Sequence, residues 1–519
     1  MKLADVYSAR SVLVLFLGAT RFFQSGALAE EYDPPGIRVG RVAEGQYRTP
    51  TGQDLTPAGR QTELPGFRPQ ALALSPDGKL LATSGKTNYL VLIDPATGLV
   101  LQQVHLSTNQ DARVVEKKAD EADEGSDSPE LPVEPGSRTR TNAPSSGRWN
   151  LSFTGLIFSP DGRRLYLSSV GGFIRVFEVD RRRQVSGRGA WTVPDARAPK
   201  QRREIPAGLA VSPDGQRLYV AGNLGNQLHE IDTKTGKPAR SWDVGVAPYD
   251  VALAGGKVYV SNLGGRRPKP GDLTAPIGKG MTVRVDPVRY IPNEGSVTVI
   301  DLASGETLTE ILVGLHPSAM AVSPDKRHVV AANTGSDTLS VIDTRKDRVV
   351  EKIWARQTPA DLFGAQPNAL AFDRGGKRLF VCNGTQNAVA LVRFEPEDKE
   401  SEVVGLIPVG WFPGAIEYDP RAGAIHVANI KGMGALKKLK PQERVKLATK
   451  DFFGAVTTVP LPTEREQALQ TVAALRNMRY PKLEEARQPA RPDRAPRPVP
   501  ERVGEPSVFK HVIYVIKEN

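Results

Sequence analysis

The chain has 519 residues, too many for one ordinary domain, and its 39% hydrophobic and 6% aromatic content supplies a core that is thinly spread. Its 49 glycines and 42 prolines favour many short strands joined by tight turns and disfavour a helical bundle. Lys and Arg exceed Asp and Glu by 69 to 58, a net +11 without a compact basic block, which reads as scattered surface charge rather than a nucleic-acid surface. The single cysteine, Cys382, excludes an intrachain disulfide and any cysteine-based metal site. Its place in the apolar run Leu379-Phe380-Val381-Cys382 is that of a buried strand residue.

The first 29 residues read as an export signal. Lys2 and Arg10 flank a polar start, Val12 to Leu17 form a short apolar core, and Ala27-Leu28-Ala29 precedes Glu30 as a small-residue cleavage site. The apolar core is too short for a permanent membrane helix, and no cysteine follows it to carry a lipid. The expected location is periplasmic or secreted. Residues 30–57 then form an N-terminal extension.

From 58 to 462 one phrase recurs: apolar strand, sharp turn, apolar strand ending near Asn, then a third strand ending near Asp. The turn is Ser75-Pro76-Asp77-Gly78, then Ser159-Pro160-Asp161-Gly162, then Ser212-Pro213-Asp214-Gly215. It returns with drift at Ala254-Gly255-Gly256, Ser323-Pro324-Asp325-Lys326, Asp373-Arg374-Gly375-Gly376 and Asp419-Pro420-Arg421-Ala422, seven times in all. Proline presets φ, aspartate bonds nearby backbone and glycine accepts positive φ, so the phrase is turn chemistry. The flanking strands, such as Gly208-Leu209-Ala210-Val211, are nearly continuous in apolar content, as strands covered on both faces are. Each unit supplies about four strands at a period near 40 to 55 residues, which predicts an all-β, seven-bladed β-propeller of four-stranded blades.

The strand ends Tyr259-Val260-Ser261-Asn262, Phe380-Val381-Cys382-Asn383 and His426-Val427-Ala428-Asn429 resemble the YVTN repeat of YncE-like propellers. Each later blade is preceded by the outer strand of its predecessor. The stretch Gln61 to Gly66 before blade one is therefore expected to complete blade seven and close the ring. Two insertions interrupt the blades. Residues 107–148 are acid-rich and read as a flexible loop. Residues 264–294 carry Arg266, Arg267, Lys269, Lys279, Arg284 and Arg289, and read as a solvated loop or, alternatively, as a lip for an anionic ligand or a following domain.

Beyond the repeats, residues 463–480 are expected to be helical, with Leu469, Val472 and Leu475 at helical spacing and a Thr463/Glu466 capping box. Residues 481–507 are a Pro- and Arg-rich linker of alternating charge, and 508–519 read as a new terminal strand. That strand, ending Ile516-Lys517-Glu518-Asn519, resembles the entry strand of bacterial phosphoesterases of the alkaline phosphatase superfamily. The resemblance implies a truncated start of such a domain, with Glu518 and Asn519 as divalent-metal ligands and metal-dependent phosphate-ester hydrolysis in the complete domain. No nucleophile or further ligand follows Asn519, so this chain is expected to be catalytically inactive and to carry no cofactor.

The six histidines show no clustered metal spacing, although His316, before Pro317 at the start of a blade, is open to a channel role beside a structural one. No Gly-x-Ser-x-Gly elbow, Walker loop or dinucleotide fingerprint stands in a suitable context. Three readings follow. The first is an exported propeller scaffold belonging to a propeller–phosphoesterase architecture. The second is a stand-alone periplasmic propeller holding an unidentified protein or polymer on one face. The third is a propeller that is itself a lactonase-like or quinone-dependent enzyme.

Overall fold

The computed structural model describes residues 40–85, 89–106, 154–357, 364–434 and 453–515. The expected export signal, the insertion 107–148 and the candidate ligands Glu518 and Asn519 lie outside these residues.

The repeated turn folds as its chemistry dictates. Ser75 Oγ donates to Asp77 Oδ1 at 2.6 Å and accepts the Leu80 amide at 2.9 Å, while Gly78 takes φ 62°. The same serine–aspartate bond recurs at Ser159/Asp161, Ser212/Asp214 and Ser323/Asp325. In the drifted copies Asp373 and Asp419 supply the acceptor alone, taking backbone amides of Arg378 and Arg421. The Ser212 hydroxyl and the Gln216 amide accordingly hold the Asp214 carboxyl below its ordinary range.

These turns join antiparallel strands into seven four-stranded sheets. The inner strands are Pro69–Leu74, Leu156–Phe158, Pro206–Val211, Pro248–Ala254, Pro317–Val322, Pro367–Phe372 and Trp411–Asp419. Each inner strand touches the next, and the seventh touches the first, so the sheets form a ring around a channel. Apolar residues between adjacent sheets make the core. Phe380, Cys382 and Val389 of blade six, for example, pack on Ile416, Ile425 and Val427 of blade seven.

Closure follows the strand count. Arg60–Pro65 pairs antiparallel with Phe453–Pro460 as the fourth strand of blade seven. Leu64 is fully buried there, and Thr457 Oγ1 donates to Gln61 Oε1 at 2.6 Å. The same strand grips blade one: Arg60 donates to the carbonyls of Ala96 and Pro95, and Thr62 to that of Gly98.

The N-terminal extension contributes a small sheet of Gly40–Ala43, Gln46–Arg48 and Asp54–Leu55, with Tyr47 and Leu55 buried against Met433. The C-terminal helix α1 spans Glu464–Asn477, opened by the expected Thr463/Glu466 capping box. Its contact face follows the apolar spacing that announced it only at Leu475, which packs against the core. Leu469 and Val472 are exposed, whereas Gln467 and Thr471 bond the Val404 carbonyl and the Leu406 amide, and Ala474 packs beneath them. The reason is that α1 covers the open edge of blade six, strand Glu402–Pro408, where unpaired backbone groups need polar partners.

The linker also departs from an extended chain. Its first residues form helix α2, Tyr480–Arg487, and the remainder is folded back by ion pairs of Arg491 with Glu501 and Glu505 and of Arg502 with Glu485. The terminal segment from Val508 to Val515 joins no sheet among the described residues. A lone strand has no partner for its backbone, and its apolar side chains stay exposed.

Candidate functional site

In an up-and-down four-stranded blade, strand alternation sorts the connections onto two faces. Links between strands one and two, and three and four, share one face; links between strands two and three, and between blades, share the other. On the first, here the turn face, every connection is short, the longest being residues 394–401. The long connections, from His105 to Leu156, Thr192 to Pro206, Asn262 to Gly295, Trp354 to Pro367 and Gly432 to Phe453, all start and end on the second, the loop face. The last of them escapes the repeat reading, which runs blade seven straight through it. The N-terminal sheet meets this face as well, through Gln53, which bonds the Thr385 carbonyl and the Asn387 side chain.

The channel entrance on the loop face is built by a second repeat. Gly-x-x-Pro occurs as Gly66 to Pro69, Gly245 to Pro248, Gly314 to Pro317, Gly364 to Pro367 and Gly410 to Pro413. Directly after the proline the ladder register slips in six blades, a ring of bulges. The residue before the proline is held at positive φ in four of them: Ala247, His316, Gln366 and Phe412. That conformation costs on the order of 1 kcal/mol per residue and recurs where backbone is fixed for a purpose. His316 is exposed in this loop, and its carbonyl accepts the Thr334 amide.

The asparagines of the YVTN-like strand ends serve the same entrance. Asn262 donates to Ser296 and Thr298, Asn333 to Thr338 and Ser340, and Asn429 to Thr457. A side chain at Gly245, Gly314 or Gly410 would strike the asparagine of its own blade at 2.6 to 2.8 Å. Repeat asparagine and repeat glycine are therefore one packing device.

Gln70 and Asn368 directly follow the prolines at two of the bulges, and Gln70 Oε1 and Asn368 Oδ1 are buried without a hydrogen-bond partner, an arrangement that leaves acceptors for a ligand or ordered water. Burial pushes the Asp250 carboxyl up to about 6, although it accepts the amides of Met320 (2.8 Å) and Val251 (2.9 Å). Burial, then the neighbouring Asp250 charge, pushes Tyr249 up to about 12.

Near the turn face the ends of the inner strands of blades five, six and seven line a pocket of about 480 Å³. Glu417 lines it, and burial pushes this carboxyl up to about 8. Glu417 is half-buried, on the inner strand of blade seven. A carboxyl raised in the folded state contributes stability that is complete below its ordinary range, near 4.5, and is lost as pH rises through about 8. Glu417→Gln is therefore expected to remove on the order of 3 kcal/mol of the stability loss between pH 5 and 9. Denaturant melts across that range check it; an unchanged pH profile contradicts the burial of this carboxyl.

The other predicted chemistry resolves into structure. His229 bonds Ser241 and lies 3.8 Å from Glu204; His426 bonds Thr458 and lies 3.8 Å from Asp419; all four residues of these His–carboxylate pairs are buried. Cys382 is fully buried, and burial pushes its thiol well up, away from reactivity. The insertion 264–294 is a folded hairpin, Thr274–Gly278 with Met281–Arg284, rather than a solvated loop. Its arginines are engaged: Arg266 with Glu294, Arg284 with Asp272, Arg289 with Asp286 and Arg267 with Asp243. Lys269 and Lys279 of the same insertion have no ion pair among the described residues, so the charge left for an anion or a following domain is carried by these two lysines. Among the described residues no three His, Cys, Asp or Glu side chains converge to hold a metal ion.

The family model described as lactonase, seven-bladed β-propeller, matches residues 281–406, under half of the chain. Among solved structures the chain is similar to U3-55K, at 12% identity over 78% of this chain and 98% of that one, TM-score 0.52. The WD40 repeats of RRP9 give 12% identity over 77% and 97%, TM-score 0.51. The fold is a seven-bladed β-propeller. Hydrazine synthase of Kuenenia stuttgartiensis is also similar, at 19% identity over 71% and 93%, TM-score 0.47. No curated protein matches the chain. At these identities the likeness concerns fold, and the chemistry of the propeller has to be argued from its own residues. No helix among the described residues is long and apolar enough to cross a membrane.

Proposed function

We propose that the chain is an exported binding propeller whose loop face holds a protein or polymer partner. In this reading the propeller is the scaffold of a propeller–phosphoesterase architecture. Metal-dependent hydrolysis belongs to a further domain, with Glu518 and Asn519 among its ligands. The observation that carries the reading is the concentration of every long connection on one face. Leu273, Ile277, Val288, Tyr290 and Ile291 of the blade-four insertion add exposed apolar surface there, of the kind partners cover. The exposed run of Val508, Phe509, Val512, Ile513, Tyr514 and Val515 supports the second half of the reading, since such side chains suit an entry strand flanked by neighbours.

A photo-crosslinking residue at Tyr290 should yield a discrete adduct in the source cell envelope, and one at Lys326 on the turn face should yield none. The reverse pattern contradicts the assignment of faces. Purified 519-residue chain should leave bis(p-nitrophenyl) phosphate intact with magnesium, manganese, zinc or calcium; turnover would overturn the scaffold role.

A further inference from the structure

The turn face gathers charges that lie far apart in the chain. A Cβ at Gly162 would touch Pro76 Cδ at 3.5 Å and one at Gly215 would touch Pro160 Cδ at 3.6 Å, so the turns between strands one and two of blades one, two and three lie in a row. Arg183, on the turn between strands three and four of blade two, pairs with Asp77 of blade one at 3.5 Å. Arg164 of blade two donates to the Thr233 carbonyl at 2.8 Å, which brings in the corresponding turn of blade three. Residues 76–79, 160–164, 180–184, 213–217 and 232–237 therefore form one continuous surface, and they hold nine Lys and Arg against five Asp.

The carboxylates of this surface are drawn inward. Asp77, Asp161 and Asp214 each accept the serine hydroxyl and a backbone amide of their own turn. Asp180 accepts the amides of Arg182 and Gln184, and Asp232 accepts the Thr235 hydroxyl and Arg217. Glu178 and Glu230 on the adjoining strands are held by Arg188 and Arg240. The cations point the other way. Lys79, Arg163, Arg181, Arg182, Lys234 and Lys237 are exposed and have no ion pair among the described residues. At blade six the same face changes sign, since residues 394–401 carry Glu395, Glu397, Asp398 and Glu400 against Lys399.

We propose that the turn face docks on an anionic lipid bilayer through blades one to three, with blade six tilted away from it. The six cations stand on the tips of short turns on one side of the ring, where they come within a Debye length of headgroup phosphates. No aromatic side chain stands among these turns to stack on bases, which favours an extended charged surface over a single nucleic-acid strand. The attraction is summed over three blades, so it follows the surface charge of the bilayer and the ionic strength rather than the identity of one headgroup. The loop face then points away from the membrane and stays open to the partner proposed above, whose residues this surface does not use.

The test is cosedimentation of the full chain with extruded vesicles. Vesicles of phosphatidylcholine with about 30 mol% phosphatidylglycerol should bind at least about tenfold tighter than phosphatidylcholine alone at about 50 mM salt, and should lose about tenfold by about 200 mM. The combined variant Arg181→Glu, Arg182→Glu and Lys234→Glu should abolish the preference for anionic vesicles. A variant matched in charge on blades five and six of the same face, Lys326→Glu, Arg345→Glu and Lys377→Glu, should weaken binding less than about threefold. All six positions are exposed, and both variants should melt as the parent chain does. Equal binding to the two kinds of vesicle, equal loss in the two variants, displacement by free glycerol phosphate at matched ionic strength, or tighter binding of duplex DNA at the same phosphate concentration would each overturn the proposal.

Discussion

A chain that begins at Phe67 will melt roughly 10 °C below one that begins at Ala58. The two differ only in the segment that holds Arg60–Pro65, the fourth strand of blade seven. Its loss exposes Val456, strips Leu64 from the core and opens the edge of Phe453–Pro460 along six paired positions. At about 2 kcal/mol for a buried leucine and about 1 kcal/mol net per ladder bond, the loss approaches 5 kcal/mol or more. The bonds from Arg60 and Thr62 into blade one disappear with it, so the seam between the first and last blades opens as well. A peptide of residues 58–66 supplied in trans should restore part of the difference. Equal melting temperatures for the two chains would mean that the ring is held without this strand.

The second large effect is expected at Glu204. This carboxylate is 1% exposed and accepts the amides of Ile205 (2.9 Å), Leu224 (2.8 Å) and Gly225 (2.9 Å), which organise the loop-face turn of blade three. Glu204→Ala leaves three buried donors without an acceptor, a loss of about 3 to 5 kcal/mol, and Glu204→Gln about half of that. Denaturant unfolding measures it. A loss under about 1 kcal/mol for the alanine variant would show that water replaces the carboxylate, and that the turn does not depend on it.

Glu204 also shows where sequence reading stops. Four blades end their second strand in asparagine, but blade three ends in Gly222, where a side chain would strike Glu204 Oε2 at 2.7 Å and His229 Nε2 at 2.8 Å. The drift Tyr219-Val220-Ala221-Gly222 is visible in the sequence. What fills the vacated space comes from eighteen residues earlier, across a loop, and no local pattern announces it. The blades themselves were legible because Ser-Pro-Asp-Gly acts within four residues, and closure was legible because strands can be counted. The capping box at Thr463 and Glu466 was readable for the same local reason.

The channel was not legible in the same way. Gln70, Asp250, Asn368 and Glu417 are single polar residues in apolar strands, and sequence alone does not distinguish a set of such positions from isolated exceptions. The Gly-x-x-Pro phrase that prepares their bulges was present five times and would have located the entrance. The face of α1 was misleading for a different reason: its binding partner is an open strand edge, which rewards Gln467 and Thr471 over Leu469. In the linker, the alternating charges were evident, but which arginine meets which glutamate depends on the fold-back that brings Arg491 to Glu505.

Hydrogen exchange resolved by peptide is the most direct measurement of the ring itself. Amides of Arg60–Pro65 and Phe453–Pro460 should be protected to the same degree as those of Arg378–Asn383 in blade six, and should lose protection together. Rapid exchange in Arg60–Pro65 alongside slow exchange in blade six would contradict a closed ring.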